Sequence, residues 1–152
     1  RPVAPQVRRE QEGIVKLATT ARHAAELVDA LVDYGPSTAR EVCAVLDWPH
    51  GRFGSAVKYA REEICPEMGF AIPSPTPPEW VYEVTTDWEP VEAGAAHSLG
   101  MVESRLLSIY RDVGIVLPHL ERGSVEWRRA NFLNKHLDHL TGTLREINNG
   151  EG

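Results

Sequence analysis

TAREVCAVLDWPHGRFGSAVKYAREEI, residues 38–64, reads as two helices joined by a tight turn. Thr38 offers a hydroxyl to the first unpaired amides and Glu41, three residues on, reaches back, the pattern of a capping box. Ala39, Val42, Cys43 and Leu46 then share one face of a short helix. Asp47-Trp48-Pro49-His50-Gly51 interrupts it, because proline is tolerated near a helix start but not inside a helix, and Asp47 is placed to cap the second helix. That helix sets Phe53, Val57, Ala60 and Ile64 on its apolar side. Gly51, Ser55, Lys58 and Glu62 fall opposite, flanked by Arg52 and Tyr59, and that side is expected to stay open. Cys65-Pro66 is expected to end the helix, since the residue before a proline is pushed out of the helical region.

Upstream, Ile14, Leu17, Ala21, Ala24, Val28 and Leu31 recur at spacings of three and four, a helical stripe. Residues 1–6 carry Pro2 and Pro5 and read as an irregular arm. Thr19-Thr20 either divides the stripe into two helices or lies within one, and Tyr34-Gly35-Pro36 stops it. Downstream, residues 70–72 and 80–86 are strand-like and flank Pro73-Ser74-Pro75-Thr76-Pro77-Pro78, which implies a small two-stranded hairpin. Prolines donate no hydrogen bond to a ladder, so a stiff exposed tip and an imperfect first strand are expected.

Residues 87–96 read as a connector. Beyond it Leu99, Val102, Leu106, Ile109, Val113, Val116 and Leu120 alternate at three and four, as do Trp127, Ala130, Leu133, Leu137, Leu140, Leu144 and Ile147. Gly114, Pro118 and Glu121-Arg122-Gly123 break between the two stripes, and Ser124 is placed to cap the second. Two such stripes imply an antiparallel helical hairpin. They serve either intrachain packing or a homodimer, and the sequence leaves both open. The fold class is thus mainly α, with a small two-stranded β-hairpin and a C-terminal helical hairpin. The expected divisions are 1–19 as an N-terminal arm or helix, 20–88 as the central domain and 89–152 as the hairpin.

The chain has 152 residues, of which 42% are hydrophobic and 25% charged, which is ordinary for a folded domain. No apolar run approaches the roughly 18 residues needed to cross a bilayer, so no membrane partner is expected. Two cysteines, Cys43 and Cys65, are too few for a disulfide framework, and a cytoplasmic setting fits them best. The net charge is -6; before Pro90 there are 9 Lys+Arg against 14 Asp+Glu, and after it 7 against 8.

The order from about Thr20 to Thr86, helix, helix, tight turn, helix, hairpin, resembles the winged helix-turn-helix family of DNA-binding regulators. Thr38-Ala39-Arg40-Glu41-Val42 opens the second helix and Trp80-Val81-Tyr82-Glu83-Val84-Thr85 is the returning wing strand. The flanking helices are similar in layout to MarR-like and PadR-like regulators and to compact repressors of phages and prophages. The resemblance covers less than half of the chain. It implies a transcription regulator, most commonly a repressor, that reads double-stranded DNA by laying the helix around 50–64 in the major groove.

On that resemblance Arg52 contacts a guanine edge or a phosphate, Ser55 either, and Lys58 and Tyr59 the backbone, with His50 at the helix entrance. Residues 70–86 contain no Lys or Arg, a departure that removes the wing's usual phosphate grip, and Arg8 and Arg9 on the N-terminal arm are the substitutes. A dimer would set two reading helices roughly 34 Å apart on a palindrome. Taken one at a time, these residues also read as the wet face of an amphipathic helix.

No cofactor and no metal are expected. His136 and His139 have helical metal-ligand spacing, but Leu137 and Leu140 set the buried side and no cysteine joins them. No nucleophile-and-base set and no phosphate-cradling loop is present, Gly51-Arg52-Phe53-Gly54 being too short, so a non-enzyme is expected. The alternative function is a protein-interaction module on a winged-helix scaffold that does not bind DNA, and the acidic balance favours it.

Overall fold

A computed structural model describes residues 5–150, with side chains described from Arg9 onward. Helix makes up 76% of the described residues, beside a small two-stranded antiparallel sheet. Two compact units divide it at Gly94/Ala95.

The first unit opens with α1, Pro5–Tyr34, which is unbroken. The Thr19 and Thr20 hydroxyls donate back to the Val15 and Lys16 carbonyls, at 2.9 and 3.0 Å, so neither caps a new helix. Only the second half of the stripe reaches the core: Ala24, Leu27, Val28 and Leu31 are buried, whereas Ile14 and Leu17 are exposed. Gly35, at φ 75°, ends α1, and its N–H bonds the Leu31 carbonyl.

Next come β1, Ser37–Thr38, and α2, Ala39–Leu46. The capping box forms as expected, with the Thr38 N–H donating to Glu41 Oε2 at 2.7 Å and the Glu41 N–H to Thr38 Oγ1 at 3.2 Å. Those bonds, the backbone one foremost, hold the Glu41 carboxyl below its ordinary pKa. Asp47 does not cap the next helix. It sits in the left-handed region at φ 53° and closes α2 instead, which its short polar side chain tolerates.

Helix α3, Gly51–Tyr59, continues through a wider π-turn, Ala60–Ile64, into α4, Cys65–Met68. The helical path therefore runs past Pro66, correcting the expected stop. The Cys65 N–H bonds the carbonyl five residues back, at Ala60, and this change of register lets Pro66 occupy the first turn of a new helix, where its missing N–H costs nothing.

β2, Val81–Tyr82, pairs antiparallel with β1, with Ser37 opposite Tyr82 and Thr38 opposite Val81. The expected hairpin partner, residues 70–72, meets the returning chain only at a bridge between Ala71 and Thr85. Prolines at 73, 75, 77 and 78 supply no N–H, so the hairpin ladder stops there and β1 takes the free edge. Phe53, Ala56, Val57 and Ala60 of the α3 path pack with α1, α2, Trp48 and Ile72 in one core, against which Tyr82 also rests.

Helix α5, Trp88–Val116, starts within the stretch expected to be a connector. Pro90 lies in its first turn, where proline is accepted, and Trp88 is exposed. A Cβ on Gly94 would stand 2.7 Å from the Ser74 carbonyl oxygen, so only glycine allows α5 to pass this close to the proline loop.

In the second unit the rest of α5 and α6, Val125–Asn148, form the hairpin. A short 3₁₀ turn, Leu117–His119, ends the first arm at Pro118, and the Ser124 hydroxyl accepts the Trp127 N–H at 3.1 Å to start the second. Glu103 joins the arms by accepting from Arg145 Nε and Asn148 Nδ2, each at 3.0 Å. Among the described residues no helix is long and apolar enough to cross a membrane.

Candidate nucleic-acid interface

Burying Phe53, Ala56 and Val57 fixes the rotation of α3, and the 3.6-residue repeat then turns Gly51, Gly54, Ser55 and Lys58 outward. All four are exposed, as is His50 just before the helix. The strip is narrow and low, because two of its members have no side chain. No carboxylate belongs to α3 itself; the first on the path is Glu62 in the π-turn.

Arg52 borders this strip half-buried. Its guanidinium carbon lies 5.8 Å from the centre of the Trp48 ring, close enough for a cation–π contact. Trp48 is buried, and the His23 ring meets it edge-on with centroids 5.3 Å apart. Arg52 thus rests on a fixed aromatic plate. Burial, then the Arg52 and Arg22 charges, push the His23 pKa below its ordinary value, and Glu26 opposes them.

Ser55 is exposed and its hydroxyl donates to the Arg52 carbonyl at 3.1 Å, which leaves its oxygen lone pairs outward. Lys58 Nζ stands 3.8 Å from Glu62 Oε1, but both side chains are well exposed, so this pair yields readily to another anion. Tyr59 is half-buried against the core and stands apart from the open strip. Arg9 is exposed on α1, roughly 22 Å along the helix from Ala24, the first buried residue, and does not join the strip. The Arg8 side chain lies outside the described residues.

Trp48 and Arg61 matter here, and sequence reasoning passed over both. Trp48 and Arg52 are four apart, but a turn separates them, so helical spacing did not pair them. Arg61 donates from Nε to the Ile72 carbonyl at 2.8 Å and from Nη2 to the Pro73 carbonyl at 3.0 Å, with its guanidinium 5.7 Å from the Tyr82 ring centre. It ties the start of the proline loop to the helix path and is committed to structure. The loop tip, 77–80, is exposed and carries no base.

His136 meets Phe132 at a tilt of 51° with ring centres 4.1 Å apart, and among the described residues no group of three or more His, Cys, Asp or Glu is placed to hold a metal ion. Cys43 and Cys65 are free and buried, and burial raises both thiol pKa values, which keeps them unreactive.

No protein-family model matches this chain, and neither a curated protein nor a solved structure does.

Proposed function

We propose that this protein binds double-stranded DNA and regulates transcription, most simply as a repressor, with the N-terminal two-thirds of α3 in the major groove. The observation that carries this reading is the strip His50, Gly51, Gly54, Ser55 and Lys58, exposed and free of carboxylates, with Arg52 braced at its side. A helix is about 10–12 Å across and the groove about 12 Å wide, so a face of glycines and a serine favours close approach. The order α1, β1, α2, α3, with β1 on β2 and Ala71 bridging Thr85, supports a winged-helix reading of the unit.

In this reading Arg52 contacts a guanine edge and Lys58 a phosphate. Ser55 reads or positions, and His50 holds the backbone near the helix entrance. The proline loop gives shape but no charge, so affinity rests on few ion contacts and specificity on α3.

The 9 Lys+Arg against 14 Asp+Glu before Pro90 favour a second reading, a protein-interaction module on the same scaffold. Binding to a duplex pool at rising salt separates the two. The DNA reading expects binding that weakens as salt rises and is lost in the double variant R52A/K58A. No binding at low salt, or binding indifferent to both substitutions, favours the protein-interaction module.

A further inference from the structure

The α5–α6 hairpin buries the wrong half of its apolar stripe. On α6 the stripe has two heptad phases, Ala130, Leu137, Leu144 and Leu133, Leu140, Ile147. Against α5 the helix presents the first phase together with a polar one: Leu137 and Thr141 are buried, and Asn134 and Asn148 each have a buried Oδ1 without a hydrogen-bond partner. Leu133, Leu140 and Ile147 remain 48–55% exposed. On α5 likewise, Val102, Ile109 and Val116 remain 44–51% exposed.

The two neglected phases open on one side of the hairpin. Val113 and Val116 of α5 line a shared apolar groove with Ala130 and Leu133 of α6, with Asp112 at its lip. The opposite groove is mixed, lined by Leu107 and Gly142 beside Tyr110, Asp138, Thr141 and Arg145. A two-helix hairpin that turns Asn134, Thr141 and Asn148 inward and leaves two aliphatic heptad rows outward has the pattern of half a four-helix bundle.

We propose that a second copy of this chain covers that face, each hairpin laying its Val102, Ile109, Val116 and Leu133, Leu140, Ile147 rows against the other's. The six residues expose on the order of 500 Å² per copy, so two copies bury roughly 1,000 Å², the least that a specific interface needs. Charge points to a like partner. The chain after Pro90 is nearly neutral, 7 Lys+Arg against 8 Asp+Glu, so copies do not repel, and the rim carries both Asp112 and the Arg128/Arg129 pair. In a two-fold interface each rim meets its own complement. This inference does not depend on DNA binding.

Sedimentation equilibrium of the full chain at tens of micromolar without DNA is the test. The expected mass is twice the chain's 16.9 kDa. I109E and L140E alter exposed positions and are expected to give the single-chain mass with unchanged far-UV circular dichroism, while D138A, in the opposite groove, stays dimeric. The milder I109S and L140S weaken association at least tenfold and serve if a glutamate disturbs folding. A wild-type chain that stays single at every concentration, including one that instead co-purifies with a different protein, overturns the proposal. So does a dimer that survives both glutamates.

Discussion

Arg52 takes its position from two aromatic neighbours. The Trp48 face holds the guanidinium and His23 packs the edge of the same ring, with Arg22 and Glu26 nearby on α1. Because folding lowers the His23 pKa, the unfolded chain binds a proton at a pH where the folded one does not. Stability from this site is therefore complete above the ordinary value of 6.5 and falls as pH drops below it. The urea midpoint is expected to decrease between about pH 7.5 and about 5.5. H23Q should flatten that decrease, and an unchanged profile would show that His23 does not cause it. In DNA binding, R52A should cost about 1–3 kcal/mol at the preferred base pair but less at others, whereas K58A should weaken all duplexes alike and reduce the salt slope by roughly 0.9, both measurable by fluorescence anisotropy. Arg52 and Lys58 were legible in the sequence because the apolar period fixes which side of a helix is free. The Trp48 plate was not, since it depends on how a five-residue turn folds back.

At the scale of elements, local chemistry and distant pairing behave differently. The capping box at Thr38 and Glu41, the Gly35 stop and the Ser124 cap were all readable, because each is decided within three or four residues. T38A should lower stability by about 1 kcal/mol in thermal or urea unfolding. The sheet was misjudged because β1 is two residues long and its partner lies more than 40 positions away, so no periodicity marks it. The extension past Pro66 escaped for a related reason: the rule that a proline ends a helix assumes an unbroken α register, and the π-turn shifts it. Gly94 gives a test with a distinctive sign. On an open helix, replacing glycine by alanine stabilises by up to about 1 kcal/mol. Here the new Cβ meets the Ser74 backbone at 2.7 Å, so G94A should destabilise by about 1–3 kcal/mol, read as a lower Tm. A rise in Tm would mean that α5 does not pass the proline loop so closely.

Across the whole molecule, an acidic chain with a narrow carboxylate-free strip must gain its DNA affinity from few charges. A shallow salt dependence and modest affinity per reading helix are the expected consequences. Duplication through the hairpin would square that weakness into useful selectivity, since a dimer of readers requires two half-sites related by a two-fold axis. The apolar stripes of α5 and α6 were plain in the sequence, but their division between intrachain and outward rows was not. That division depends on the rotation of each helix, which Glu103 helps to set through Arg145 and Asn148. Selection of bound duplexes from a random pool tests the central claim most directly. Successive rounds with the wild-type chain should enrich a short motif, repeated with inverted symmetry if the chain is dimeric, and R52A/S55A should lose it. A pool that remains random, or the same motif returned by the double variant, would contradict the assignment of α3 as a reading helix.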